Sequence, residues 1–392
     1  MIRTERDVIV IGGGPAGAIC ASYLAMKGVD VLLLDKDIFP RDKACGDILQ
    51  EGIVSHIEAV GAFDALDRAG SCIRSLRLIS GSGAKAQVPF ECYCAPRYKV
   101  DEMLVRAAVK HGAEVRQGCH VTDIVMENGY VRGVRVRYRG EEAELRCKVV
   151  IGADGACSLT AKLLGVMKEE PSGAYFGWRA YFKGVKLDRS LAVNQYNTYG
   201  VFSFYPDVRP GCFWTVPCGK ESVTEGFCNV GFVLRGRNAG GEADAEELFN
   251  KWAASNPELS AMFREARRIS AWKGGKLCDT TQGIRNVGNG FILIGDAGSQ
   301  MMPLYFDGLS AAADSARAAA DAATAAIDSG DVSENLLGEA YTRAMKPYMI
   351  TEDEIKVRRL MLESMYDSRT MDNVIRHLDR DPAYCRKVMK SL

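Results

Sequence analysis

Neither sign of charge predominates in this chain. Fifty Lys and Arg residues face fifty Asp and Glu, so the formal net charge is zero. That balance removes the case for a bulk electrostatic partner, and no nucleic-acid partner is expected. Histidine is scarce, with four in 392 residues, and a histidine-rich metal centre is not expected. No uninterrupted apolar run reaches the roughly 18 residues of a spanning helix. The opening "MIRTERDVIV" runs from charges straight into a strand, without the cleavable apolar region of a signal peptide. A cytoplasmic location is the expectation. The thirteen cysteines show no C-x-x-C pairing of the zinc-site kind. In a chain of this length they read as reduced thiols rather than a disulfide framework, and no metal is expected.

What is present is ordinary globular composition, 47% hydrophobic and 26% charged, long enough for two or three domains. "DVIVI" at 7–11 is a strand, "GGGPAG" a turn, "AICASYLAMKG" a helix and "VDVLLLD" a second strand. That order is a βαβ unit with a parallel sheet. A helix is expected over 98–111, then alternating strands joined at an Asn-Gly hairpin turn and ending in "KVVIGADG". Residues 172–234 differ: they are aromatic, alternating and punctuated by Gly and Pro, the pattern of a separate antiparallel sheet. Beyond about 331 only helices are expected. The nucleotide-binding pieces are scattered from 1 to 330, so the domains interleave. The expected fold class is α/β (α+β). A Rossmann-like FAD-binding domain (1–70, 96–170 and 275–330) interleaves with an antiparallel-sheet substrate domain (71–95 and 171–274), and C-terminal helices follow (331–392).

Gly12, Gly14 and Gly17 form a G-x-G-x-x-G turn between strand and helix. Such glycines let the backbone approach a pyrophosphate, which then meets the positive end of the helix. Asp35 ends the second strand, where an acid accepts hydrogen bonds from ribose hydroxyls. A second apolar strand, "GFILIGDAG", ends in Gly295-Asp296, and a loop with Pro303 and Gly308 leads into a long helix. An acid there suits the ribityl chain of a flavin. No second Gly-rich motif marks a dedicated NAD(P)H domain.

This constellation resembles the FAD-dependent oxidoreductases of the para-hydroxybenzoate hydroxylase group and, within it, the geranylgeranyl reductase family. Three features carry the narrower resemblance. One is the Cys45-Gly46 pair after the second strand. Another is "GCFWTVPCG" at 211–219 followed by Asn229-Val230-Gly231, and the third is the Gly-Asp-Ala strand end with its Pro-containing loop. The sequence departs from the family at that loop, where Tyr305 and Phe306 stand for small residues, and at Ala161, where the pattern has an arginine.

The resemblance implies FAD as cofactor. Gly12, Gly14, Ala16, Gly17, Asp35 and Lys36 are expected at its ADP half. Cys45, Gly46, Ile48, Arg97, Val121, Asp154 and Gly155 are expected along it, with Asp296, Gly308 and Leu309 near the ribityl chain and ring. It also implies hydride delivery from reduced flavin to isolated double bonds of a prenyl chain. An unactivated alkene gives a carbanion no support, so a proton donor must sit beside it. Cys45 is the first candidate donor, against the alternative of a small residue fitted to the ring. Tyr205 and Tyr305 are further candidates. Trp178, Phe204, Phe213, Trp214 and Phe306 are expected to wall an apolar substrate. An external electron donor is needed: ferredoxin, NAD(P)H or a quinol. The stretch "DEIKVRRLMLESMY", with Ile355, Leu360 and Met361 beside basic residues, offers a peripheral membrane contact or else packs on the body. The alternatives are an oxygen-using monooxygenase or halogenase of the same fold, and a non-catalytic FAD-binding redox protein.

Overall fold

Strand β1 (Glu5–Ile11) is apolar on both faces because both faces are covered, as in a parallel sheet. The computed structural model describes residues 5–167, 175–188, 191, 198–208, 211–235, 240–277, 284–301, 307–349, 351–365 and 367–391. β1 pairs in parallel with β2 (Val31–Asp35) on one side and β9 (Glu141–Gly152) on the other. β6 (Glu114–Gln117) extends the sheet beyond β2; β17 (Phe291–Leu293) and β16 (Val287–Gly288) extend it beyond β9. β7 (Cys119–Glu127) and β8 (Tyr130–Tyr138) form a hairpin that returns onto β9. Its turn residues Asn128 and Gly129 have φ of 51° and 79°, the left-handed pair that an Asn-Gly hairpin turn uses.

One face of this sheet is covered by α1 (Pro15–Met26), α4 (Arg97–Lys110) and α9 (Gly308–Ser329). α9 buries a stripe of alanines that includes Ala313, Ala316, Ala320 and Ala323. Those small side chains let α1, α2 (Glu51–Ala59) and α10 (Glu334–Met345) pack against it. α3 (Phe63–Ala69) closes the same layer through Leu66. The β7–β8 hairpin and α5 (Leu159–Leu163) cover the opposite face. Ala161, at the position of the family's arginine, is fully buried there.

The second sheet runs β14 (Arg267–Arg268), β10 (Tyr175–Lys183), β13 (Cys228–Arg235), β12 (Cys212–Pro217), β11 (Thr198–Phe204), β4 (Ser71–Ser80), β5 (Lys85–Cys94) and β3 (Ile48–Leu49). β15 (Lys273–Leu277) also pairs with β10. Neighbours are antiparallel except β4 and β11, which are parallel. Ile48 and Leu49 therefore belong to this sheet, although they lie inside the stretch expected for the first domain. Their pairing with Cys94 and Tyr93 draws them across.

One face of the second sheet packs on α7 (Glu242–Ala254) and α8 (Pro257–Phe263). Phe213 and Trp252 stack there at 4.4 Å between ring centroids. Each large apolar side chain so buried contributes about 1.5–3 kcal/mol. α6 (Glu221–Glu225) is a short connector from β12 to β13. The other face carries α12 (Ser368–Arg380) and α13 (Pro382–Ser391), with Met371, Ile375 and Leu378 packed on Leu76, Ala86 and Val88, and α11 (Glu352–Met365) packs on α12. No helix among the described residues is long and apolar enough to cross a membrane.

Candidate active site

The glycine turn after β1 is built for close approach. Gly12 has φ of 102°, and a Cβ there would lie 2.5 Å from the Ala153 carbonyl oxygen. A Cβ at Gly17 would lie 1.8 Å from the Gly12 oxygen, so helix and turn meet only without side chains. Gly14 precedes α1, and no side chain caps the helix. Its positive end therefore faces the cavity lined by Gly14, Pro15 and Ala16. Asp35 accepts the Gly13 N–H at 2.6 Å and the Asp37 N–H at 2.8 Å. Burial pushes its carboxyl up, opposed by those bonds. Lys36 beside it is exposed. Asp154 and Gly155 line the same cavity, but the Asp154 carboxylate is occupied by Ser158 and Thr160. Asp296, Gly308 and Leu309 line it from the end of β17 and the start of α9. The start of α9 lies close to Asp296: a Cβ built on Gly308 would be in ordinary contact with Oδ1, at 3.4 Å. Lys43 reaches across to Asp296 at 3.8 Å.

The segment 41–48 crosses from the first sheet to the second and carries Cys45. Asn229 of β13 holds it, donating to the Cys45 carbonyl oxygen at 2.8 Å while accepting from Trp214 Nε1 at 2.8 Å. The partly buried Cys45 thiol lies against the Arg97 guanidinium. Arg97 is in turn fixed by Asp101 at 2.7 and 2.9 Å, and Arg41 shares that carboxylate at 2.6 Å. Burial pushes the Cys45 thiol above its usual value, and the Arg97 charge opposes that. Asp47 is fully buried and accepts from Tyr181 Oη at 2.7 Å.

A continuous cavity of about 1060 Å³ joins these parts. One part of its lining is the turn, Cys45, Gly46, Ile48, Arg97 and Asp296; another is the open face of the second sheet, and α11 adds Asp353, Glu354 and Arg358. Alternation along the strands sorts the aromatic residues. Phe202 and Phe204 of β11, Trp214 of β12 and Trp178 of β10 line the cavity. Phe213 and Tyr205 do not. Phe213 points to the other face and is buried against Trp252, and Tyr205 packs beside it at 6.1 Å. The candidate donor Tyr205 is thus separated from the cavity by the sheet. Val121, on β7, is half-buried against the core of the first sheet and does not line the cavity. Tyr305 and Phe306 lie outside the described residues.

Both cavity tryptophans lie across glycines. A Cβ at Gly231 would sit 2.3 Å from the Trp214 ring, and one at Gly274 would sit 2.7 Å from the Trp178 ring. Each glycine is the direct cross-strand partner of its tryptophan. The Asn229-Val230-Gly231 motif acquires its meaning here: Asn229 holds the indole N–H and Gly231 leaves room for the ring. The sequence reading missed Asp47 and the α12 residues Val374 and Leu378, which roof the apolar end. The α12 residues had a signal, the spacing Met371, Val374, Ile375, Leu378 of a one-sided helix. Asp47 had none, since an acid after glycine looks like any solvated turn.

A model of the FAD binding domain family matches residues 5–349. The digeranylgeranylglycerophospholipid reductase of Methanosarcina acetivorans is 31% identical over 348 residues, covering 86% of this chain and 79% of that one. The chain belongs to the geranylgeranyl reductase family of FAD-dependent oxidoreductases. Its cofactor is FAD. The geranylgeranyl bacteriochlorophyll reductase-like protein of Thermoplasma acidophilum superposes with a TM-score of 0.79 at 23% identity, over 96% of this chain and 91% of that one. The family shares its fold with halogenases. A 1H-pyrrole-2-carbonyl-[peptidyl-carrier protein] brominase of Pseudoalteromonas luteoviolacea is 30% identical over 316 residues, 78% of this chain and 74% of that one. The side-chain-free turn at Gly12 and Gly17 and the uncapped α1 fit the pyrophosphate of an FAD, and Asp35 at the end of β2 and Asp296 just after β17 stand as residues that would hold it.

Proposed function

We propose that this oxidoreductase saturates carbon–carbon double bonds of a prenyl chain of the geranylgeranyl type. The observation that carries the reading is the continuity of the cavity. Its apolar floor of Leu76, Leu78, Phe90, Phe202 and Phe204 runs without interruption to the Cys45-Gly46 strip beside the flavin site. A flexible hydrocarbon gains about 25 cal/mol for each Å² it hides in such a lobe.

Bound FAD, once reduced, supplies a hydride, and each saturated bond consumes one hydride and one proton. The chain's own residues do the rest. Trp178 and Trp214, each braced on a glycine, orient the prenyl chain and exclude water. Cys45 holds the proton on Sγ, since burial keeps the thiol protonated through neutral pH. Its S–H bond breaks as the new C–H bond forms, and the thiolate left behind is stabilised by Arg97. Water returns the proton before the next turnover. Reduction of the FAD falls to an external donor: ferredoxin, a nicotinamide or a quinol. Exposed Leu360 on α11 and exposed Met349 before it suit a protein that draws its substrate from a lipid surface.

The test is anaerobic. The yellow protein is reduced chemically, mixed with a geranylgeranyl lipid and followed by flavin absorbance and lipid mass spectrometry. The expected result is reoxidation with a gain of two hydrogens per bond. Cys45→Ala should retain FAD and slow the step by about 10²-fold or more, the ordinary weight of a positioned proton donor. Normal turnover by a folded yellow Cys45→Ala protein removes the donor role. The brominase relative favours a second reading, oxygen-dependent chemistry on an aromatic substrate. Its signature is a reduced protein that is stable to the lipid and reacts quickly once oxygen is admitted.

A further inference from the structure

A buried acid lies beneath the turn that carries Cys45. Asp47 is 0% exposed, and its backbone takes the left-handed conformation at φ 61°, which costs an aspartate little compared with bulkier residues. Donors from several elements converge on its carboxylate. Tyr181 Oη of β10 donates to Oδ2 at 2.7 Å, and the Cys218 thiol beyond β12 donates to the same oxygen at 3.6 Å. The Arg97 N–H at the head of α4 donates to Oδ1 at 3.3 Å. The Asn229 side chain also bonds to it, while holding the Cys45 carbonyl oxygen. Burial pushes the Asp47 carboxyl above its usual value, and the Arg179 and Arg97 charges and the Tyr181 and Asn229 hydrogen bonds oppose that. All of these hydrogen-bond partners donate, which favours the ionised carboxylate. A turn acid with only a structural task would face water at far lower cost than this one.

The thiol stands between two opposite charges. The Arg97 guanidinium lies against it, and the Asp47 carboxylate acts on it through the same turn, whose Asp47 N–H bonds to the sulfur. The titratable and charged groups around Asp47 are Cys45 on its own loop, Arg97 and Tyr98 on α4, Arg179 and Tyr181 on β10, Cys94 on β5 and Cys218. The thiols and phenols are neutral through neutral pH. Beyond burial, the electrostatic contest at Cys45 is therefore between Arg97 and Asp47.

We propose that Asp47 is a positioning residue for Cys45: its carboxylate ties the thiol-bearing turn to β10 and α4, and its charge offsets Arg97 at the sulfur. This deepens the reading of Cys45 as proton donor and rests on that reading for its catalytic consequence. Without the acid's charge, only burial opposes the arginine's field, and the thiol holds its proton less firmly.

The experiment titrates Cys45 in the FAD-loaded protein. Iodoacetamide alkylation is measured from about pH 6 to about pH 10 by peptide mass spectrometry, with exposed Cys157 as internal reference. The expected wild-type midpoint for Cys45 lies above that of Cys157. Asp47→Asn keeps the shape and removes the charge. Its Cys45 midpoint should fall by at least about one pH unit, raising alkylation at neutral pH about tenfold, while flavin absorbance persists. An unmoved midpoint in Asp47→Asn overturns the proposal even where activity falls, because the role is then structural alone. A wild-type midpoint at or below that of Cys157 overturns it without any variant, which covers the case of an Asp47→Asn chain that does not fold. The titration needs no lipid. A protein that shows the shift but reduces no alkene keeps the positioning role and loses the prenyl-reductase reading.

Discussion

Trp214 is held at two points, by Asn229 at its N–H and by the bare backbone of Gly231 under its ring. Gly231→Ala places a Cβ in the ring and forces it off Asn229. The expected cost is about 1–3 kcal/mol of stability, read by urea unfolding. Asn229→Ala leaves the indole N–H and the Cys45 carbonyl without their partner at a half-buried place, for about 1 kcal/mol, and should loosen the Cys45 turn while FAD stays bound. At this scale the sequence is legible where backbone conformation dictates residue type. Gly12, Gly17 and the Asn128-Gly129 turn could be read directly. Facing is harder. Trp214 and Phe213 are neighbours of similar chemistry, and only the placement of α7 on one side decides that Phe213 is core and Trp214 is wall. The same rule puts Phe204 on the cavity and Tyr205 behind the sheet. Asp47 is illegible because its burial is created by Tyr181, Arg97, Cys218 and Asn229, which are distant in sequence.

Among the elements, α12 has the largest say in what the cavity admits. Its residues Val374 and Leu378 stand over the floor formed by Leu76, Leu78 and Phe202. Leu378→Trp fills the apolar end without touching the glycine turn or Cys45. Bound FAD and its absorbance should be unchanged, while turnover of long prenyl chains falls more than that of short ones. Equal loss across chain lengths would place the long substrate elsewhere. The βαβ start, α4 and α9 were readable from period and flanking glycines. The docking of α12 was not, since its apolar stripe matches any sheet face left uncovered.

On the scale of the molecule, the two sheets are threaded by one chain that crosses between them repeatedly, so neither has a contiguous sequence of its own. The glycine turn of the first sheet would hold the FAD, and the Cys45 segment ties that turn to the second sheet through Asn229. Loading should stabilise both together: at a free FAD concentration of about 100 Kd the gain is about 2.7 kcal/mol, and one cooperative transition should move in calorimetry. Two separate transitions, with only one responding, would contradict this coupling. The interleaved order was legible because strand, helix and glycine signals alternate along the chain. Two captures by the second sheet escaped it: Ile48 and Leu49 in β3, and residues 275–277 at the end of β15, all inside stretches expected for the first domain.

The roof of the apolar lobe follows its floor by a long interval of sequence. Phe204 completes the floor, and Val374 of α12 is 170 positions later, the difference of the two numbers. At roughly 5–20 residues per second, a ribosome takes about ten to thirty seconds to span that gap. Throughout that time the growing chain presents a greasy, unroofed β-surface, and a nascent-chain chaperone would find its grip there.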